Sequence, residues 1–341
     1  MKSIYQKIYR PLILIFYFPI FFLEIIFFRV FGKENSSKSH QYMIYLFSQF
    51  NWEIIDFLNK FLKLKKININ DRIFNSHIEI KNLDMINNNL KNEGFCKIDY
   101  TLNKDLVDTL IKSINPLKGK YSGKGYRSKN FEYFDHSRPK ATKFSYDSNE
   151  LIKIHIIQKL AFDKNILNIA QNYLGSLPIL DIVTSWWLSE TEHEDEVAAQ
   201  AWHFDLDRPK WIKVFFLLTD CDENNGGHKF IRKSHISKNI PKEIRDMGYT
   251  RLSNDLISKY YEKEDIVSFN EKSGAIFFED TRGLHKGSRL KNKKRLMLQF
   301  QYSSSLFGTK HPKIIYPDNA IDGMNFIKKR YNDLFLNFTH K

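Results

Sequence analysis

The chain has 341 residues and a formal net charge of +14. A hydrophobic content of 42% with 15% aromatics excludes a disordered protein, and the scarcity of glycine and proline excludes collagenous and low-complexity classes. Two cysteines, Cys96 and Cys221, cannot build a disulfide framework and suit a reducing compartment.

Residues 1–33 form a unit of their own. Lys2, Lys7 and Arg10 precede the apolar stretch PLILIFYFPIFFLEIIFF at 11–28, and Arg29 and Lys33 follow it. Eighteen residues is at the short limit for a membrane span, and Pro19 and Glu24 interrupt it. No small-x-small cleavage site follows, which argues against a secretory signal. Three readings stand: a spanning anchor, a helix lying in one leaflet, and a helix docked on the protein's own core. A membrane surface is therefore an expected partner, with the rest of the chain on the cytoplasmic side.

Between 41 and 66, apolar residues recur three and four apart, which predicts one or two amphipathic helices. The stretch LDMINNNLKNEGF at 83–95 predicts a helix stopped at Gly94, and FCKIDY after it a strand. The polar stretch 117–149 reads as a long loop near a site. Short apolar runs then appear at 179–188, 211–219, 274–279 and 295–302, with a partly helical insertion at 240–260. Short strands with long excursions predict a mainly β protein with flanking helices, a double-stranded β-helix of jelly-roll, cupin-like type. The expected division is 1–33 as apolar N-terminal helix, 34–78 as helical linker, 79–312 as the β-helix domain, and 313–341 as a C-terminal extension.

His203-Phe204-Asp205 carries the chemistry. The pair is expected on a strand, where side chains at i and i+2 project to one face, so an imidazole and a carboxylate can converge on one ion. An iron(II) oxygenase needs three such ligands and three open positions. Alone the motif is weak, since eleven histidines supply one such match by chance. A second match, His193-Glu194-Asp195, sits among acidic residues and reads as a solvated loop. The third ligand should come after several strands. His285 follows the buried-looking GAIFFED and satisfies this, whereas His228 and His235 come too soon and read as surface or hydrogen-bonding residues. Arg245, ten residues after His235, is cut off from it by a helix-like segment.

Arg295, ten residues beyond His285, opens the strand RLMLQFQY and can pair bidentately with the distal carboxylate of 2-oxoglutarate. Its competitor Arg289 lies within the turn. Lys213 interrupts the apolar run WIKVFFLL: pointing inward it meets the 2-oxo acid, and facing solvent on an edge strand it means nothing.

These stretches, AQAWHFDLDRPKWIKVFFLLTDCDENNGGHKFIRKSH at 199–235 and GAIFFEDTRGLHKGSRLKNKKRLMLQFQYSSSLFG at 274–308, resemble the phytanoyl-CoA dioxygenase family. With GFCKI the resemblance covers roughly 80–310. It implies a double-stranded β-helix with iron(II), 2-oxoglutarate and dioxygen as cofactors. Position by position it implies His203, Asp205 and His285 as iron ligands and Arg295, with Lys213, as co-substrate residues. The sequence departs from the family where a Pro-Gly-Ser-His turn becomes Arg-Lys-Ser-His at 232–235, and in its apolar N-terminus. Asp205 argues against halogenation, so hydroxylation is the expected outcome. Residues 281–300 carry seven Lys or Arg and no acid, and the basic part at 286–295 points to an anionic small-molecule substrate, which becomes a lipid-linked one if the N-terminus enters a membrane. No nucleic acid is expected, for lack of a stacking or groove-reading motif. Two alternatives are a non-catalytic metal-binding jelly roll acting as a membrane partner, and a non-redox isomerase or lyase on the same barrel.

Overall fold

The computed structural model describes residues 2–70, 72–123, 126–190, 201–222, 226–248, 250–288, 290, 294–331 and 338–339. Gly94 adopts a left-handed conformation (φ 89°), which closes helix α3 (Leu83–Glu93) and turns the chain directly into strand β1 (Phe95–Thr101). The predicted runs become β4 (Ile179–Ser189), β5 (Trp211–Leu217), β8 (Ala275–Glu279) and β10 (Lys294–Ser303). Between them lie β6 (His228–Ile231), β7 (Ile266–Phe269) and β9 (His285–Gly287).

Two strands occupy the stretch expected to be a loop, β2 (Gly119–Ser122) and β3 (Lys143–Tyr146). Each is four residues long, and such a run is too short for its in–out alternation to stand out from a polar background. All of these strands pair antiparallel in two sheets. The larger runs β1-β8-β5-β10-β4-β3-β2 and the smaller β7-β6-β9, the two-sheet arrangement of a jelly roll. Strand β10 sits between β5 and β4 and is buried along nearly its whole length. Helix α4 (Lys104–Ile114) buries Val107, Leu110 and Ile114 in the same core cluster, capped at its start by the Asn103 side chain.

The N-terminus forms two helices, α1 (Lys2–Phe31) and α2 (Ser37–Leu62). Helix α2 bends at Asn51 (φ 58°), whose side-chain oxygen accepts from the Glu53 amide and so starts the second half. Phe21, Ile25 and Phe28 of α1 are buried in one cluster with Tyr42, Phe47 and Trp52 of α2. The same cluster holds Trp202, Phe204 and Leu206, so the helical pair packs directly behind the His203–Asp205 segment. Glu24, the charge that makes a span costly, accepts from the Ser36 amide at 2.8 Å and the Ser36 hydroxyl at 2.7 Å. Burial disfavours its ionised form, but the bonds from Ser39, Ser36 and Tyr17 outweigh that and hold its pKa below the ordinary value. Among the described residues no helix is long and apolar enough to cross a membrane.

Candidate active site

His203 and His285 face each other across an antiparallel bridge, with His203 N–H donating to His285 O at 3.0 Å and His285 N–H to His203 O at 2.8 Å. The bridge extends the smaller sheet beyond β9. The expected regular strand at 203–205 is instead an extended segment, pinned by this bridge and by Asp205 N–H donating to Thr281 O at 2.8 Å. Alternation survives the irregularity. Trp202, Phe204 and Leu206 enter the core behind, while His203 and Asp205 line a cavity of about 360 Å³.

Donor atoms of His203, Asp205 and His285 all lie within 4.8 Å of one another. The imidazole centroids are 4.2 Å apart, and His285 Nε2 is 3.8 Å from Asp205 Oδ2. The Nδ1 atoms lie 2.9 Å from Ala201 O and Gly283 O respectively. A carbonyl only accepts, so each Nδ1 carries the hydrogen and each Nε2 is left with a lone pair for an ion. Burial drives His203 down to about 2, with neighbouring His285 adding to the effect, and burial lowers His285 as well. Both rings are therefore neutral at ordinary pH, the state in which an imidazole can ligate a metal.

Asp205 is ionised despite its burial, because Lys213 Nζ lies 2.6 Å from its Oδ2 and holds the carboxyl far below the usual range. Lys213 on β5 thus points inward and lines the cavity, which closes the solvent-facing alternative. Its own pKa is raised, burial being outweighed by the Asp205 charge.

Arg295 also lines the cavity and is 3% exposed. Its Nη1 is 3.6 Å from Cys221 Sγ, and its Nε has no partner among the described residues. A Cβ added at Gly226 would lie 3.4 Å from that Nη1, so the glycine keeps the space beside the guanidinium clear. A buried cation without a carboxylate is expensive unless a ligand supplies one.

Sequence reasoning missed Lys143. It stands on β3, lines the same cavity and lies 4.9 Å over the Trp186 ring. Burial, with Lys213 adding like charge, lowers its pKa to about 8. The signal was there in the alternation of KFSY, hidden in a stretch read as loop. His228 is near the centre but outside the triad, its Nε2 2.6 Å from Glu279 Oε2. His235 lies elsewhere, its Nε2 3.1 Å from Lys91 O. Both are buried, so neither is a surface residue. Arg289 and His193-Glu194-Asp195 lie outside the described residues.

The sequence pattern of the phytanoyl-CoA dioxygenase (PhyH) family matches residues 90–297, the span that holds the triad and Arg295. The chain belongs to this family. No curated protein sequence matches it. Solved structures similar to this phytanoyl-CoA dioxygenase family chain include a non-heme alpha ketoglutarate dependent epimerase, SnoN, from nogalamycin biosynthesis, at 14% identity and TM-score 0.46, covering 65% of this chain and 82% of that one. HygX from Streptomyces hygroscopicus, with nickel and 2-oxoglutarate bound, is 15% identical at TM-score 0.46, covering 67% and 89%. EctD from S. alaskensis with bound Fe is 14% identical at TM-score 0.46, covering 74% and 92%.

Iron(II), 2-oxoglutarate and dioxygen are the cofactors that membership of the phytanoyl-CoA dioxygenase family assigns to the chain, as an oxygenase-type enzyme acting on a small molecule. The residues present fit them. Two neutral imidazoles and one carboxylate converging from one side suit an octahedral iron(II) with open positions, and the unpartnered guanidinium edge of Arg295 suits a dicarboxylate.

Proposed function

We propose that the chain hydroxylates an anionic or lipid-linked small molecule, with His203, Asp205 and His285 holding iron(II) and Arg295 binding the distal carboxylate of 2-oxoglutarate. The observation that carries this reading is the buried, unpartnered Nε of Arg295 in the cavity that holds the three clustered donors. When bound, the metal and co-substrate supply dioxygen activation with release of succinate and carbon dioxide. The protein's own part is to orient and to keep water out. Lys213 fixes Asp205 through Oδ2 and adds positive charge beside the co-substrate. Trp186, Leu188, Phe215 and Met297 form an apolar lining that lowers the local dielectric.

Anionic substrate chemistry is supported by charge. Lys143, Lys213 and Arg295 line the cavity against the single carboxylate of Asp205. Iron(II) and the 2-oxoglutarate dianion cancel, which leaves the lining with a surplus of positive charge. Lys143 has no salt-bridge partner among the described residues and is free to meet a carboxylate or phosphate. Residues 79–312 form the oxygenase unit in this reading, working on the cytoplasmic side where iron(II) and 2-oxoglutarate are supplied.

The test is anaerobic addition of iron(II) and 2-oxoglutarate, followed by a metabolite screen under labelled dioxygen. A metal-to-co-substrate charge-transfer band, succinate formation and one labelled oxygen in the product are expected. A protein that binds neither iron nor 2-oxoglutarate sinks the proposal; turnover to an unlabelled, rearranged product replaces hydroxylation with another oxidative outcome.

A further inference from the structure

Over its described side chains, from Phe16 onward, helix α1 is docked by one face. Phe21, Ile25 and Phe28 sit four and three residues apart and are buried against the protein, where Phe21 and Phe28 meet Phe307 edge-on at 5.7 and 5.4 Å. The outward face of a surface helix is ordinarily polar. Here it carries Phe16 at 74% exposure, Phe22 at 53%, Val30 at 65% and Phe31 at 60%, with Phe18 and Phe27 between them. So many large exposed apolar side chains on one short segment far exceed the scattered singles of an ordinary surface.

Glu24 decides how this face can meet its partner. Its carboxylate is tied to Ser36 and Ser39 at the start of α2, so the helix is held flat on the protein through its middle and offers the opposite side outward. Charge decides the partner. Residues 1–33 carry Lys2, Lys7 and Arg10 toward one end, Arg29 and Lys33 toward the other, and Glu24 as the only acid. Arg29 and Lys33 are exposed, with Lys33 Nζ 5.5 Å over the Phe27 ring. A second copy of the chain, laid on this face in either direction, would set positive end against positive end. A bilayer with anionic headgroups answers both the apolar face and the basic ends.

We propose that α1 is an in-plane membrane-docking surface, its exposed phenylalanines entering the headgroup boundary of an anionic phospholipid bilayer and its two basic ends resting on the headgroups. The pair α1–α2 packs behind the His203–Asp205 segment, so docking holds the oxygenase unit at the bilayer surface as one body.

Flotation of the full-length protein with vesicles tests this. One set is phosphatidylcholine and the other contains about 30% phosphatidylserine. The wild type is expected to float with the anionic vesicles and to be released by salt. The triple variant F22S/F27S/F31S and the charge reversal R29E/K33E each lose about tenfold or more of that partition. Both keep wild-type thermal unfolding and 2-oxoglutarate binding, which separates this proposal from the catalytic one. Absence of wild-type flotation with either vesicle overturns it, as does undiminished flotation of the triple variant. So does light scattering in which the triple variant turns a dimer into a monomer while vesicles are ignored.

Discussion

Lys213 Nζ lies 2.6 Å from Asp205 Oδ2, in a cavity wall where both side chains are nearly out of solvent. Each group supports the other's charge, since burial works against the ionised form of both. Replacing Lys213 with Met leaves the carboxylate buried and unpaired, and its pKa rises as the Lys213 charge is lost. Iron(II) affinity of the variant is expected to fall by about 10–100-fold. Equilibrium titration of iron into the metal-free protein reads this. An unchanged affinity would show that the lysine acts on the co-substrate alone.

Arg295 gives a different signature, because it touches none of the three donors. Arg295→Ala should raise the KM for 2-oxoglutarate by about 100-fold or more, the order of one charged hydrogen-bonded pair lost. Iron binding stays at the wild-type level. Arg295→Lys is expected to recover little, since a point charge cannot replace the planar fork. Co-substrate titration of the iron-loaded variants separates the two effects.

The His-x-Asp pair was legible because a period of two survives irregular backbone. His203 and Asp205 share a face, although their segment is held by an isolated bridge and a single further amide bond. Gly94 was equally legible, since a helix end followed at once by a strand needs a left-handed residue there. Lys143 was not. A lysine in a polar stretch is ordinarily solvated, and its inward aim depends on β3 pairing with β4 at Lys143–Leu188, a contact far apart in sequence. For a related reason the sequence leaves open whether residues 1–33 dock on the protein's own core. Their apolar faces are visible in sequence, but the surface they cover, Trp202, Phe204 and Leu206, is created only when the strands assemble.

Acid should destabilise the metal-free protein through its buried histidines. The His203 pKa falls from an ordinary 6.5 to about 2 on folding, so below 6.5 the unfolded chain binds the extra proton. The contribution is fully present above the unfolded value and is lost as pH falls from 6.5 toward 2. His285 shifts the same way. Thermal midpoints of the metal-free wild type should therefore drop between about pH 6.5 and 4.5, before most carboxylates titrate. His203→Asn should flatten part of that slope, while saturating metal should lift the midpoint most at the high end of the range.

The helical pair α1–α2 should behave as core at its inner face and as free surface at its outer one. Phe47 is fully buried, 5.3 Å from the Phe204 ring and 4.3 Å from Trp52. Phe47→Ala removes a large side chain from a cluster that supports the cavity-facing His203–Asp205 segment, and about 3–5 kcal/mol of stability should go with it. Phe57 on the same helix is 50% exposed, and Phe57→Ala should change stability by no more than about 0.5 kcal/mol. Denaturant unfolding of the two variants gives the contrast. Because Phe47 packs against the residue between His203 and Asp205, its loss should also weaken iron binding in protein that remains folded. Phe57→Ala should leave the iron titration untouched. Equal small effects from both substitutions would mean that the helices only lean on the barrel, and that the cluster behind the triad closes without them.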